Sequence, residues 1–508
     1  MTILVISLGF AVACPASRVS DADVREPEFA GKFYPDSASK LKLAIEKFLQ
    51  DALPVKVEKP VAMVVPHAGY IYSGQICADG FKQAAIQKYD VVVILGTNHT
   101  TPHYQKIALY PGSGFRTPLG VAPIDRDVVS ALLKADPDDA VLDKSPHGSE
   151  HSVEVLVPFI QVVFPNAKIV PLVVGSPDLE ICTRFGQALA KVLQNKRALI
   201  VASSDLSHYP AADDAYIVDR ETLASMTRMD PARFQTTVRA QRVKSIPNVQ
   251  TGACGEAPIL AAMAAAGSLG ATRAEVISYA NSGDVSIGER SRVVGYGAVV
   301  FTAATEEKTV NRAGQSLAVV PAAASTSLNA ADKKALLAFA RETLSRFFLT
   351  DTVPLARGFN TALQQTRGVF VTLKQKGELR GCIGRMIGDE PLVNLTGAMT
   401  IQSAFNDSRF PPLTASELNA TEIEISVLTP MKEVAGAADI VVGRDGVLLS
   451  KGGYSAVFLP QVATEQGWNR EEMLDHLCRK AGLEAGSWKE GARLLTFQAV
   501  VFSESEFK

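Results

Sequence analysis

Six of the seven histidines fall in the first 210 residues: His67, His99, His103, His147, His151 and His208. Three of them stand just beyond short apolar, β-branched runs. His67 follows residues 61–65, His99 follows 91–95 and His208 follows 198–202. Asp205 precedes His208 by three residues in the same segment. Cys254 sits in Gly252-Ala253-Cys254-Gly255, just ahead of a predicted helix, where the partial positive charge of a helix N-terminus favours a thiolate. Imidazole, thiolate and carboxylate together form a ligand set for iron, copper or zinc. The same residues also permit a cysteine hydrolase or amidase, with Cys254 as nucleophile, His208 as base and Asp205 as its orienter. A non-catalytic metal-binding scaffold is a third reading. His103 and His147 read as surface residues. His151 and Glu154 open a predicted helix, where they either line the same cleft or cap the helix locally. Cys77 and Cys182 fall inside predicted helices and read as packing residues.

The elements that must position these side chains follow an α/β pattern with a mainly parallel sheet. Runs at 61–65, 91–95, 168–174 and 198–202 are short and continuously apolar, as strands buried on both faces are. Predicted helices at 73–87 (with Ser73 as N-cap), 152–164, 178–194 and 256–266 intervene, and late strands follow at 276–279 and 293–301. Ligands of such sheets bind beyond the carboxyl ends of the strands, so three histidine-bearing loops can converge on one crevice.

Residues 303–330 are rich in Ala, Ser, Thr and Glu without a steady period and read as a linker between a domain at 25–302 and a second at 331–508. The second is expected to be smaller and α+β. Its predicted helices lie at 331–347, 390–405, 461–467 and 470–481, and its strands at 368–373, 423–428, 446–450, 455–459 and 496–502. Arg380 and Cys382 flank Gly381 in a predicted turn that a ligand could approach closely, and Asp407 and Arg409 add a second polar motif. The competing reading is a tight turn with Cys382 in the core.

A chain of 508 residues is long for one core, and its net charge of −2 argues against non-specific nucleic-acid binding by the whole chain. Six cysteines, none in a CxxC or CxxxCxxC pattern, exclude a zinc ribbon and a radical-SAM cluster of the chain's own. Residues 1–24 form an extension whose apolar run ends in Ala13-Cys14. No Lys or Arg precedes the run, so the cytoplasm is the expected location; the alternative is export with a lipid anchor at Cys14.

Several motifs carry a resemblance. Ala30-Gly31-Lys32-Phe33-Tyr34-Pro35, Pro66-His67-Ala68-Gly69-Tyr70, Leu95-Gly96-Thr97-Asn98-His99, Glu150-His151-Ser152-Val153-Glu154, Ser203-Ser204-Asp205-Leu206-Ser207-His208 and Gly252-Ala253-Cys254 resemble the Memo family over residues 25–302. That family is similar in fold to LigB-like class III extradiol dioxygenases. The resemblance implies His67, His99 and Cys254 as metal ligands, Asp205 and His208 in the same pocket as catalytic groups, and Fe(II) or copper as cofactor. Cys254 stands where the dioxygenases place a carboxylate, so ring cleavage does not simply transfer. The motifs Leu379-Arg380-Gly381-Cys382-Ile383-Gly384 and Ser403-Ala404-Phe405-Asn406-Asp407-Ser408-Arg409-Phe410 resemble the AMMECR family over residues 333–506. Together these imply a fusion of two proteins of the AmmeMemoRadiSam system, with a separate radical-SAM protein as partner and an unnamed substrate.

Overall fold

A computed structural model describes residues 23–303 and 328–507. The segment around Cys14 and most of the predicted linker therefore lie outside the described residues. The N-terminal domain contains strands β1 (Val24–Arg25), β2 (Pro60–Val65), β3 (Val91–Thr97), β4 (Ile107–Leu109), β5 (Gly114–Thr117), β6 (Gly120–Pro123), β7 (Ala140–Leu142), β8 (Lys168–Val174), β9 (Ala198–Ser203), β10 (Ala271–Asn281) and β11 (Gly295–Ala303). Eight of them form one sheet in the order β10-β11-β2-β9-β3-β8-β4-β7. The central strands β2, β9, β3 and β8 are parallel, while β11 and β10 close one edge antiparallel. All seven residues of β3 are buried, which is why its sequence is continuously apolar instead of alternating. Because β2, β9 and β3 are neighbours running the same way, the loops after them emerge side by side from one edge of the sheet.

The helix Glu256–Ser268 is buried along most of its length and begins just after Cys254. Its first turn presses on the end of β9. A Cβ at Gly255 would lie 2.5 Å from Ser204 Cβ and 2.6 Å from the Ser203 carbonyl oxygen, so glycine lets the helix start reach the sheet edge. The helix predicted at 73–87 starts earlier, as Tyr70–Ala84 with Gly69 at the N-cap. Ser73 does not cap it; its hydroxyl donates to the Ala68 carbonyl at 2.9 Å inside the first turn. The helix predicted at 152–164 divides into His151–Glu154 and Val157–Val163.

The C-terminal domain holds β12 (Val369–Gln375), β13 (Glu378–Arg385), β14 (Thr421–Leu428), β15 (Lys432–Glu433), β16 (Gly446–Lys451), β17 (Tyr454–Phe458), β18 (Arg493–Phe497) and β19 (Ala499–Ser503). They form two antiparallel sheets, β13-β12-β14-β19 and β15-β18-β16-β17, each with its own apolar core. The strand predicted at 496–502 breaks at Gln498 and contributes to both sheets. Gly381 is not in a turn but inside β13. A Cβ there would lie 2.2 Å from the Ser403 carbonyl oxygen, so the glycine admits the helix Leu392–Phe405 against the strand.

The two domains are docked. Val285, Val353 and Ile401 form a small buried cluster joined by Ile71, Tyr72, Ile287, Phe347, Leu355 and Phe405 from both sides. Arg357 of the second domain donates to both carboxylate oxygens of Asp79 on the helix Tyr70–Ala84, at 3.2 and 2.9 Å. Asn394 donates to the Asp284 carbonyl at 2.9 Å, and Arg346 pairs with Asp51. Among the described residues, no helix is long and apolar enough to cross a membrane.

Candidate metal centre

The parallel order of β2, β9 and β3 carries His67, Asp205 and His99 to a common edge, and the helix behind Cys254 brings its thiol there too. His67 is 1% exposed. Its Nε2 lies 3.2 Å from Cys254 Sγ and 3.9 Å from Asp205 Oδ2. The ring of His99 packs 5.1 Å from that of His67, and His151 lies between them on a third side, stacked on His99 at 4.7 Å. The potential ligand atoms of His67, His99 and His151 fall within 4.8 Å of one another, as do those of His67, Asp205 and Cys254. His67 is common to both groups.

The protons of this site can be placed from its partners. The hydroxyl of Ser203 donates its single proton to the Ser152 carbonyl at 2.6 Å, so toward His67 Nδ1, at 2.8 Å, it can only accept. Nδ1 of His67 therefore carries the hydrogen, and its Nε2 turns a lone pair toward Cys254. Glu150 orients His99 likewise. Its carboxylate accepts from His99 Nδ1 at 2.9 Å and from the His99 backbone N–H at 2.7 Å. Burial opposes ionisation of Glu150, but these bonds and one from the Ser152 N–H outweigh it and hold the group down at about 2. An ionised carboxylate only accepts, so the Glu150 bond places a hydrogen on His99 Nδ1 and turns Nε2 toward the site. Hydrogen-bonded partners of this kind are what fix the tautomer and ring direction of a metal-ligating histidine.

Three hydroxyls lock the platform beneath. Ser152 donates to the Thr97 carbonyl at 2.9 Å, Thr97 to the Ser203 carbonyl at 2.9 Å, and Ser203 to Ser152. The ring of bonds ties the ends of β3 and β9 to the helix that bears His151. Phe29 and Phe33 close a side of the site, their rings 5.5 and 4.7 Å from His151. Glu150, Ser203 and this aromatic wall were not singled out by the sequence. Glu150 had a signal, an acidic residue directly before a candidate helical histidine; Ser203 and Phe33 lay within the quoted motifs without a role, and Phe29 had no signal.

Asp205 spends one carboxylate oxygen on the backbone N–H groups of His67 and Ala68, at 2.9 and 3.3 Å. The imidazole against Cys254 is that of His67, so the relay of Cys254, His208 and Asp205 expected for a hydrolase is not assembled as hydrogen bonds. Nor does the helix N-terminus lower the thiol. Burial, reinforced by the Asp205 charge, pushes Cys254 up, beyond what the backbone N–H of Asp205, 3.3 Å from the sulfur, offsets. Burial likewise drives His67 well down. The pair thus rests as neutral thiol and neutral imidazole. His208 stands beside them half-buried, with Nε2 enclosed and without a hydrogen-bond partner among the described residues.

His103 is exposed, as expected of a surface residue. His147 is not on the surface: it is 1% exposed, donates to the Ala108 carbonyl at 3.0 Å, packs on Tyr110 and is pushed down to about 4 by burial. Cys77 and Cys182 are buried, as expected. Glu154 does not face the site; it accepts from Arg25, Tyr34 and two backbone N–H groups behind it.

Asp219 buttresses the His208 loop from below. It accepts from the backbone and hydroxyl of Ser207, at 2.8 and 3.0 Å, and from Tyr279 OH at 2.9 Å. Burial outweighs these bonds and raises its carboxyl from 3.8 to about 7. The folded state then binds more protons than the unfolded chain between those values, so stability should fall as pH rises from about 4 to 7. The loss should be on the order of a few kcal/mol. Asp219→Asn should flatten this decline, measured as Tm against pH; an unchanged slope would refute the assignment.

In the second domain the structure gathers three of the four predicted residues. Asp407 accepts from the Cys382 backbone N–H at 2.8 Å, and Arg409 clamps Asp407 at 2.9 and 2.7 Å while donating to the Cys382 carbonyl. The Arg409 guanidinium holds Asp407 well below the usual carboxylate range. The hydroxyl of Thr372 points at Cys382 Sγ from 3.3 Å, and the thiol is part-exposed. Arg380 serves elsewhere. It binds Glu417 and the carbonyls of Pro411 and Pro412, holding Glu417 down at about 2.

A family model described as Memo-like protein matches residues 25–300, more than half of the chain and the whole of this centre. The chain belongs to the Memo family. A second model, AMMECR1, matches residues 337–502, which contain Arg380, Cys382, Asp407 and Arg409. A MEMO1 family protein of Aquifex aeolicus is 36% identical over 282 residues, covering 55% of this chain and 99% of the relative. One of Methanosarcina mazei is 34% identical over 281 residues, with the same coverage. A crystal structure of an uncharacterised protein from Pyrococcus horikoshii shares 38% identity over 33% of this chain and 89% of its own, with a TM-score of 0.31. The Memo domain is thus a mainly parallel α/β unit with its histidines at the strand ends, and the AMMECR1 domain is the smaller antiparallel unit docked beside it.

Proposed function

We propose that the Memo domain is a metal-dependent oxidoreductase of dioxygenase-like type, using iron or copper. The observation that carries this reading is the pair of oriented imidazoles. His67 and His99 each have Nδ1–H committed to an acceptor, so their Nε2 atoms face two adjoining groups that share His67, one completed by His151 and the other by Asp205 and Cys254. A group of imidazole nitrogens with a thiol that must lose its proton suits a transition metal, which supplies one-electron redox chemistry and Lewis acidity. His67 and His99 would hold it, with Cys254 as the third ligand; Asp205 and His151 border the same space. His208 has a free ring nitrogen with which to take or give a proton. Phe29 and Phe33 shield a side of the site from water. The joining of Memo and AMMECR1 domains in one chain supports a place in the AmmeMemoRadiSam system beside a separate radical-SAM protein.

The test is metal content after oxygen-free purification, read by mass spectrometry. Wild type should carry near-stoichiometric iron or copper, and His67→Ala, His99→Ala and Cys254→Ser should each lose most of it. No transition metal in wild type, even after reconstitution with Fe(II) or Cu(I), would sink the proposal. Rapid alkylation of Cys254 by iodoacetamide in that metal-free protein would then favour a cysteine nucleophile with His67 as its neighbour.

A further inference from the structure

The segments that flank His208 and Cys254 continue past the metal centre and wall a second feature. Tyr209, Asn248, Val249, Gln250 and Arg292 line a cleft of about 320 Å³. It is tied to the site loops by backbone. The Gln250 N–H donates to the His208 carbonyl at 3.1 Å, the His208 N–H to the Thr251 carbonyl at 3.2 Å, and the Tyr209 N–H to the Val293 carbonyl at 2.7 Å. The rings of His208 and Tyr209 are 5.5 Å apart.

Three properties make the cleft unlike an ordinary stretch of surface. First, the Arg292 guanidinium lies over the Tyr209 ring, 4.0 Å from its centroid, and no carboxylate among the described residues pairs with it. Three other arginines nearby are matched to acids: Arg290 to Asp213 and Asp284, and Arg239 and Arg242 to Glu256. Second, the lining has many hydrogen-bond donors and no acid. Besides the guanidinium it offers the amides of Asn248 and Gln250 and the hydroxyl of Tyr209. Third, Tyr209 and Asn248 both adopt left-handed backbone, with φ of 77° and 63°. For a bulky tyrosine this costs about 1–2 kcal/mol, and such strain collects at functional sites.

We propose that this cleft binds the oxyanionic end, carboxylate or phosphate, of the molecule on which the metal centre acts. With no acid paired to it among the described residues, Arg292 has N–H groups for a two-pronged bond to an oxyanion. The anion's other end then lies toward His208, whose unpartnered Nε2 stands one residue from Tyr209. Arg292 and Gln250 are specificity-determining in this arrangement, and the substrate is a small anion. The assignment rests on the metal-site reading for what happens to the molecule, but not for its binding.

Calorimetric titration of the full chain with inorganic phosphate and with propyl phosphate tests it. Both should bind one site in competition. Arg292→Ala should weaken both at least tenfold, whereas Arg273→Ala, at an exposed strand arginine without an ion pair among the described residues, should leave them unchanged. Binding of inorganic phosphate alone would overturn the substrate assignment, and equal binding by wild type and Arg292→Ala would overturn the cleft itself. Repeating the titration with His67→Ala separates the two readings. Retained phosphate binding there, alongside a wild type devoid of metal, fails only the oxidoreductase proposal.

Discussion

Arg357→Ala should destabilise the folded chain by about 3 kcal/mol, at the lower end of what an uncompensated buried charge costs. Asp79 is fully buried on the helix Tyr70–Ala84, and its carboxylate takes both guanidinium bonds from the other domain. Its remaining partners, the Leu53 N–H at 3.0 Å and the Gln75 amide at 3.4 Å, are neutral. Without Arg357 the negative charge stays in the seam or must take up a proton. The Arg357 side chain keeps about a quarter of its surface in water, which places the cost below that of a wholly enclosed pair. Adding Asp79→Asn to Arg357→Ala should recover part of the loss, because the buried charge is then gone while an acceptor for Leu53 remains. Urea denaturation of the three variants reads this directly. A single-variant loss below about 1 kcal/mol would mean that solvent already enters the seam, as at surface pairs. The consequence reaches the metal centre. The helix gripped by Arg357 begins at Tyr70, three residues after His67, and its first turn contributes Ile71 and Tyr72 to the apolar seam. The AMMECR1 domain therefore braces the element from which the His67 loop departs.

The parts of this architecture that were legible in the sequence are those with local signatures. Continuous apolar runs ending in Pro66-His67, Asn98-His99 and Ser204-Asp205 marked strands buried on both faces, and parallel pairing then sent their loops to one edge. The orientation of the ligands was not legible, because it depends on contacts remote in sequence. Ser203 meets His67 across 136 positions, and Glu150 meets His99 across 51. His147 was misjudged for the same reason: in Ser145-Pro146-His147-Gly148 it has the sequence of a surface turn, yet Tyr110 and Ala108 enclose it. Cys254 illustrates a competition of effects. Its place before a helix argued for a thiolate, but the depth at which Gly255 lets that helix seat strips most of the water from the thiol of this part-exposed residue and pushes it up instead. Gly381 misled through propensity, since a glycine between Arg380 and Cys382 reads as a turn until the close packing of the helix Leu392–Phe405 is known. The fractured strand at Gln498 was hidden because one polar residue is all that separates two mostly apolar stretches, 494–497 and 499–502.

Glu154→Ala should have the largest effect of any single change near the site, about 4–5 kcal/mol. The carboxylate is fully buried and is the hub of the N-terminal segment. It pairs with Arg25 and accepts from the Glu28 N–H at 3.1 Å, the Phe29 N–H at 2.8 Å and Tyr34 OH at 2.7 Å. Its removal strands the Arg25 guanidinium, which is 6% exposed and keeps the carbonyls of Glu26, His147, Gly148 and Glu150 and the face of Phe115, but no acid among the described residues. It also orphans two backbone N–H groups and a buried hydroxyl, each costing about 1–3 kcal/mol if nothing replaces the acceptor. Glu154→Gln keeps one acceptor oxygen while losing the charge, so it should fall between wild type and Glu154→Ala. At about 2–4 °C per kcal/mol for a unit of this size, Tm should drop by roughly 10–15 °C in the alanine variant. A drop under 3 °C would show that the segment is held by its apolar contacts alone. The same change should loosen the site without touching a ligand. Phe29 and Phe33 are positioned by the bonds at residues 28 and 29 and cover His151. The metal-free Glu154→Gln protein should therefore exchange the backbone amide protons of residues 28–34 for solvent deuterium faster than wild type, while those of β3 and β9 stay protected.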